Sequence, residues 1–468
     1  MARGLCRRSR PALLAALLVA LAVVAGCAST ISGDGSYASE AALKDAPNVE
    51  LAVHGTDHGE SDRIAENAIS DIQRFWTNAF PPVFGTAYRP VTGGFYSVDP
   101  ATSGPIPCAS SPAEVKGNAF YCGQKDVVVW DRTNLLPVLA KNFGKFTIAM
   151  VLAHEWGHAI QKRSYYPGKR TIVIENEADC YSGAWTAWAF AGNAPHFHVS
   201  INDLDSGLAG FLTFADAPGD SANANNAHGS GFDRVSSFQQ GFDHGAAYCA
   251  NKRIYNDNKV FTEVPFDPAD QNNGNLPLDQ AFTDGIPDLT AFSTAAMPKL
   301  FDLHNARPLG RPVLFNAADD TKCGDTPIEQ TVMYCAADDK VYLQVSPFSQ
   351  QLYKGLGDNS VITMLAIGNG YQVRQRQGKS LTGEDALLGA VCYAGLYDAD
   401  AFNATAHKPT VATHQVTLSA GDLDEAIGAL LVGVGKSDFG GEADTNGFLR
   451  VNVFQNAVRN GASACARY

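Results

Sequence analysis

Basic residues are scarce. The 468-residue chain carries 35 Lys and Arg against 48 Asp and Glu, a formal charge of −13. Its first 26 residues hold four arginines and no acid, so the remainder stands at −17. A chain this acidic, with no basic or aromatic-basic patch, argues against nucleic acid as a partner. Also missing is any C-x-x-C pair, which speaks against a cysteine zinc site. Beyond the N-terminus no apolar run reaches 18 residues, so the rest is expected to be soluble. What the chain has in quantity is hydrophobic residues, 45% of the total. That is enough for two or three domains with their own cores.

The one long apolar run is N-terminal. "MARGLCRRSR" is a basic leader and "PALLAALLVALAVVAG" a short apolar stretch that ends in Val24-Ala25-Gly26-Cys27. The run is short for a spanning helix, and a small-small-Cys ending is what lipidation requires. The tetrapeptide resembles the lipobox of bacterial lipoproteins. Residues 1–26 then read as a signal peptide, Cys27 as the lipidated first residue of the mature chain, and 27–60 as a polar tether. The expected location is the cell membrane, lipid-anchored on its extracytoplasmic face.

Export bears on the cysteines. Cys6 leaves with the signal and Cys27 takes lipid. Eight remain: Cys108, Cys122, Cys180, Cys249, Cys323, Cys335, Cys392 and Cys465. An even number outside the cytoplasm predicts four disulfides.

The chain resembles itself. "AFYCGQKDVVVW" from Ala119 faces "VMYCAADDKVYL" from Val332, with the cysteines 213 apart. "ADCYSGAW" from Ala178 faces "AVCYAGLY" from Ala390, 212 apart. "GFDRVSSFQQGFDHGAAYCA" from Gly231 faces "GFLRVNVFQNAVRNGASACA" from Gly447, 216 apart. "DIQRFWTNAF" at Asp71 resembles "DLTAFSTAAM" at Asp288. Four matches in order, at nearly one offset, predict a tandem duplication, about 64–252 and 281–468. The organisation expected is a first unit at 61–252, a Pro/Asn/Asp-rich linker at 253–280 and a second unit at 281–468. The simplest disulfide pairing is then the same in each unit: Cys108–Cys122, Cys180–Cys249, Cys323–Cys335 and Cys392–Cys465. Other connectivities stay open.

Each unit reads as a helix, short strands ("GGFYSV", "DVVVW") and three or four further helices. Apolar residues recur three and four apart along "FTIAMVLAHEWGHAIQKR", "IVIENEADCYSGAWTAWAF" and "INDLDSGLAGFL". Long helices with few short strands predict an α+β, helix-dominated fold.

One helix carries a site. His154 and His158 in "VLAHEWGHAIQ" are four apart, on one face, so both imidazoles can reach one metal. Glu155 lies beside them, near the position of a zinc-bound water. Zinc with one open position needs a third protein ligand, and the next helix offers it in "VIENEADC". Glu175 and Asp179 share a face. Glu175 is therefore expected as the ligand and Asp179 as acceptor for a ligand histidine. Glu177 falls about 200° round the helix from Glu175 and is expected in solvent.

H-E-x-x-H followed by E-x-x-A-D-C resembles the bacterial neutral zinc metallopeptidases and shares the third-ligand pattern of the glu-zincins. "FYC" before the motif and "AHGSGFDRVSSFQQGF" after it belong to the same resemblance, which covers about 64–252. It implies a zincin-like peptidase domain, a Zn2+ cofactor and a peptide or protein substrate in the cell envelope. The second unit departs from the pattern. His154 faces Ile367, Glu155 faces Gly368, His158 faces Tyr371, Glu175 faces Leu387 and Asp179 faces Val391, so this copy reads as degenerate and metal-free. The cysteines, the Gly157/Gly370 pair and the Tyr181/Tyr393 pair remain. A scaffold role for the histidines predicts no such coordinated loss.

The implied chemistry is metal-assisted hydrolysis with Glu155 as general base. His228 in "AHGSGFDR" is the candidate oxyanion donor, its counterpart being Asp444. Arg234, kept as Arg450, reads as structural, as do Trp156, Trp185 and Trp188. His54, His58, His196 and His198 read as loop histidines. The rival expectation is a non-catalytic envelope binding protein whose zinc only holds the fold. A closed site of that kind needs a fourth protein ligand, and none is evident.

Overall fold

The computed structural model describes residues 42–43, 46–224, 227–262, 264, 266, 272–434, 438–440 and 446–468. The signal segment, Cys27, the tether before Ala42 and Asp444 lie outside the described residues. The fold is α+β and helix-dominated. In the first half, β1 (Ala42–Leu43) and β2 (Val53–His54) precede a long helix, α1 (Glu60–Phe84). Then come β3 (Gly94–Val98), β4 (Ala119–Cys122), β5 (Val127–Asp131) and α2 (Leu135–Phe143). Next are α3 (Phe146–Arg163), α4 (Thr171–Phe190), β6 (Phe197–His198), α5 (Ile201–Leu212), α6 (Gly231–His244) and α7 (Ala246–Cys249). Gly245, whose φ of 75° ends α6, separates it from the short α7.

The second half opens with α8 (Leu278–Leu300), followed by β7 (Val313–Asn316), β8 (Lys322–Cys323), β9 (Thr326–Pro327), β10 (Val332–Cys335) and β11 (Lys340–Ser346). It continues with α9 (Phe348–Gly355), α10 (Asp358–Arg376), α11 (Glu384–Thr405), α12 (Asp422–Val432) and α13 (Gly447–Asn460).

The larger sheet has the order β2-β3-β5-β4, with β4 antiparallel to β5 at one edge and the other neighbours parallel. A three-stranded sheet, β10-β11-β7, repeats the antiparallel edge pair in the second half. The four disulfides pair Cys108 with Cys122, Cys180 with Cys249, Cys323 with Cys335 and Cys392 with Cys465.

The two halves share local constellations. Arg163 donates to Asp126 at 2.8 Å and to the Pro90 carbonyl, and Tyr121 donates to the same Asp126. Arg376 donates to Asp339 at 2.6 Å and to the Pro308 carbonyl, and Tyr334 donates to Asp339. Both aspartates sit at a left-handed turn, with φ of 54° and 55°. His196 pairs with Asp71 at 2.7 Å, and His414 with Asp288 at 2.8 Å.

The halves also meet. One apolar core runs through both, and Phe242 packs on Phe448 with ring centroids 4.7 Å apart. Each half caps a helix of the other. Asp424, in α12, accepts from the Gly231 and Phe232 amides at the start of α6, at 2.8 and 2.7 Å. Asp205, in α5, accepts from the Gly447 and Phe448 amides at the start of α13, again at 2.8 and 2.7 Å. A carboxylate at a helix start satisfies orphan amides and meets the positive end of the helix dipole. Gln239 donates to the Phe448 carbonyl and Gln455 to the Phe232 carbonyl, each at 2.8 Å. The contact is therefore reciprocal.

Candidate metal centre

The centre lies where α3 crosses α4. Gly157, between the two histidines, sets the spacing. A Cβ there would stand 2.7 Å from the Ala178 Cα, so only glycine lets the helices touch. The crossing turns the His154/His158 face of α3 toward the Glu175/Asp179 face of α4. His154 Nε2 lies 3.2 Å from Glu175 Oε2, and His158 Nε2 lies 3.4 Å from the same oxygen. Ligands about 2.1 Å from one zinc at tetrahedral corners sit about 3.4 Å apart. Both imidazole-to-carboxylate distances thus match the spacing that a tetrahedral ion needs, and all three donor groups lie within 4.8 Å of one another. The described residues add no fourth His, Cys, Asp or Glu to this group. His158 and Glu175 retain some exposure, 16% and 13% of their side chains, so the group opens to solvent on one side.

Both imidazoles are oriented through their other nitrogen. His154 Nδ1 is 2.7 Å from Asp179 Oδ1, and His158 Nδ1 is 3.1 Å from Gln161 Oε1. An acceptor at Nδ1 fixes the tautomer that leaves Nε2 free to ligate. Asp179 is in turn clamped by Arg234 of α6, which donates from Nε and Nη2 at 2.9 Å each. Burial raises the Asp179 pKa, but Arg234 and His154 outweigh it and hold it below the ordinary value. Gln161 is held by the Ile174 carbonyl and by Glu177.

Burial alone pushes the His154 imidazolium down. The Asp179 and Glu175 carboxylates outweigh it and carry its pKa up to about 10. Glu175 is displaced the other way: burial raises it, yet the two histidines hold it well below the usual range. Two imidazoles drawn toward the charged form by buried carboxylates mark a place of negative potential, suited to a cation. Glu155 points into the same space from α3. Its Oε2 accepts from the Tyr121 amide of β4 at 2.8 Å, and burial raises its pKa. A carboxyl raised in this way is suited to take and return a proton.

His228 lies in the loop before α6. Its amide donates to Asp216 Oδ2 at 2.6 Å, its Nδ1 is 3.3 Å from Asp216 Oδ1, and its carbonyl accepts from Asn176, the neighbour of Glu175. The hydrogen bond with Asp216 raises its pKa, and Glu175 adds to that. Its side chain is 47% exposed, so it stands at the rim, within electrostatic reach of the ligands.

One expectation is corrected. Glu177 is fully buried and hydrogen bonded to Gln161, Tyr165 and Tyr181, with burial pushing its pKa up to about 8. Helical angle assigned it to solvent, but α4 is packed between α3 and α6 and has little free face. Gln161 and the Tyr121 amide were missed. Gln161 is three residues after His158, on one face of α3, which was a usable signal. No sequence pattern marks a backbone amide. Trp156 and Trp185 are buried, and Trp188 packs against Phe75.

No family model matches the chain, and no solved structure matches it. The chain is similar to proteins described as uncharacterized in Mycobacterium tuberculosis and Mycobacterium bovis, each 30% identical over 101 residues. The match takes in 19% of this chain and spans about a third of the length of those relatives, 34%.

Proposed function

We propose that the chain is a zinc-dependent metallopeptidase of the neutral zinc metallopeptidase type, tethered to the cell envelope through a lipidated Cys27. One observation carries the enzymatic reading. Two imidazole Nε2 atoms converge on one carboxylate oxygen at 3.2 and 3.4 Å, with both Nδ1 atoms occupied and a general-base candidate alongside. Nitrogen and carboxylate donors fit zinc, and His154, His158 and Glu175 would hold it. When bound, zinc supplies Lewis acidity at the scissile carbonyl.

The chain's own residues do the rest. Glu155 takes the proton of the attacking water and returns it to the leaving amine nitrogen. Asp179 and Gln161 keep the two imidazoles in register, and Arg234 keeps Asp179 ionised. His228, drawn toward its charged form by Asp216, donates to the oxygen that becomes negative in the tetrahedral state. The substrate is a peptide or protein of the envelope. The unshared edge of β4 lies beside Glu155.

We also propose that residues 281–468 are a degenerate copy of residues 61–252. The Arg-Asp-Tyr clusters, the His–Asp pairs, the matched disulfides and the reciprocal caps support this. So do Gly157 and Gly370: a Cβ at Gly370 would stand 2.6 Å from the Ala390 Cα, at the matching crossing of α10 and α11. At the positions of the ligands the second half carries buried Ile367, Leu387 and Val391, and Tyr371 stacks on Phe439 at 5.3 Å. Among the described residues, these positions offer no imidazole or carboxylate to an ion.

The test is Glu155→Gln against His158→Ala on the purified chain, with zinc measured by metal analysis and cleavage by a peptide library. Glu155→Gln should keep near-stoichiometric zinc and lose hydrolysis; His158→Ala should lose both. Cleavage by Glu155→Gln at the wild-type rate overturns the mechanism. Stoichiometric zinc with no cleavage by wild type supports the binding-protein reading in its place.

A further inference from the structure

The second half holds a different cluster, far from the histidines in sequence. Asp358, Asp422 and Glu425 offer ligand oxygens that all lie within 4.8 Å of one another, and all three residues are buried. Asp358 begins α10, while Asp422 and Glu425 lie in the first turns of α12. A fourth oxygen approaches from the segment before α8. Asn275 Oδ1 accepts from the Asp358 amide at 2.9 Å. It also lies, with Glu425 Oε1, around Gly357: a Cβ built there would stand 2.2 Å from the Asn275 oxygen and 2.0 Å from the Glu425 oxygen. Glycine at 357, with φ of 136°, leaves room for both.

Helix capping explains part of this. Glu425 Oε2 accepts from the Asn359 amide at 2.8 Å, and Asp422 accepts from the amide and hydroxyl of Ser419 at 2.6 and 2.9 Å. Capping explains only part of Asp358, whose carboxyl meets the Leu276 and Asn359 amides. Its Oδ1 is buried with no hydrogen-bond partner, on a residue only 6% exposed. Nor does capping supply a counter-charge. Among the described residues no Lys, Arg or His is hydrogen bonded or ion-paired to any of the three. A fourth carboxylate, Asp398, is 1% exposed and also has an unpartnered Oδ1; Asn359 Nδ2 bridges its other oxygen and the Asp422 carbonyl. Buried like charges this close require either protons or a cation.

We propose that Asp358, Asp422, Glu425 and Asn275 form a calcium site that fastens the starts of α10 and α12 to the segment entering α8. An all-oxygen donor set is the chemistry of a hard cation and not of zinc. Oxygens about 2.4 Å from one calcium ion sit at most about 4.8 Å apart, which the cluster satisfies. The convergent, partly capped oxygens and the room that Gly357 leaves suit the larger, flexible calcium sphere better than the tight octahedron of magnesium. The site is independent of the zinc reading. It does adjoin the contact between halves, since Asp424 lies in the same turn of α12 as Asp422 and Glu425.

The experiment uses the full soluble chain, stripped of metal by chelation and dialysed. Its readouts are melting temperature with calcium or magnesium alone, and terbium luminescence with displacement by calcium. Calcium at about 100 times its Kd should raise Tm by about 5 °C. Magnesium at equal concentration should do less, and calcium should displace bound terbium at a stoichiometry of one. Asp422→Asn with Glu425→Gln should abolish both responses. If that variant does not fold, Asp358→Asn read by terbium alone takes its place, with the same loss expected. In His158→Ala the calcium response should persist, since it does not arise at the histidine centre. No rise in wild type up to about 10 mM calcium overturns the proposal. So does loss of the response in His158→Ala. A double variant that is more stable than stripped wild type, together with no terbium binding in wild type, would identify a cluster held by protons.

Discussion

Gly157→Ala tests whether the crossing of α3 and α4 sets the metal centre. The added Cβ would meet the Ala178 Cα at 2.7 Å and the Ala178 carbonyl oxygen at 2.9 Å. Both are backbone atoms and cannot swing away, so relief needs the helices to part by roughly 1 Å. Overpacking of this kind costs about 1–3 kcal/mol. Alanine returns about 1 kcal/mol of helix propensity over glycine, leaving a net loss of about 0–2 kcal/mol. The functional effect should exceed the stability effect. The ligand atoms straddle the crossing, at 3.2 and 3.4 Å, and parting the helices stretches both distances at once. Zinc affinity should fall by about 10–100-fold, the range seen when supports of metal ligands are disturbed. Gly370→Ala is the matched control. Its Cβ would meet the Ala390 Cα at 2.6 Å, at a crossing that carries no ligands. It should lose comparable stability and leave zinc affinity unchanged. The assays are urea unfolding and zinc competition against a chromophoric chelator. Wild-type zinc affinity in Gly157→Ala, or equal loosening in Gly370→Ala, refutes the argument that this local spacing sets the centre.

Three further outcomes are expected. Arg234→Met leaves the buried Asp179 with His154 alone; breaking such a buried pair costs about 3–5 kcal/mol, and chelator competition should show weaker zinc with Arg234→Lys intermediate. His414, held between Asp288 and Asp400 at 2.8 and 3.0 Å, has its pKa raised from 6.5 to about 9, because the two carboxylates outweigh its burial. The folded-state pKa lies above the unfolded one, so this stabilisation is complete below about pH 6.5 and is lost as pH rises through about 9. The Tm difference between wild type and His414→Asn should shrink over that window; a difference independent of pH rejects it. Cys27→Ser should move the chain out of the detergent phase in a partition experiment, and unchanged partitioning counts against the lipid anchor.

The candidate site was legible where its signal was local. The four-residue spacing of His154 and His158, and that of Glu175 and Asp179, are fixed by helical geometry and needed no tertiary information. The ends of α3 and α5 also followed from periodicity. What escaped was set by packing between elements. Glu177 was misplaced because a helical angle says which side a residue faces, not whether that side is covered. Gln161 faces inward on α3, yet only the arrival of α4 gives it Ile174 and Glu177 as partners. The caps by Asp205 and Asp424 join residues 242 and 193 apart, and nothing in the neighbourhood of either aspartate announces its target. The oxygen cluster at Asp358 is likewise assembled from three distant segments, and its residues read singly as ordinary helix-start carboxylates.

The reciprocal contact gives the proposed second copy a physical task even without a metal. Asp424 holds the first amides of α6. Three residues into that helix, Arg234 grips Asp179, and Asp179 orients His154. Each step is a hydrogen bond between buried or half-buried groups, so an error in the placement of α6 reaches the ligand with few soft links to absorb it. Asp233, beside Arg234, is held from the second half as well, by Arg459 at 2.9 Å. A free first half would expose the start of α6 and leave Arg234 positioned only by its own neighbours. On this reading, loss of the ligands from the second copy removed its chemistry but not the surfaces that hold the first copy's helix in place. The corresponding positions of that half hold buried Ile367, Leu387 and Val391. These side chains stiffen the supporting half by burial, where a polar centre without an ion would have weakened it.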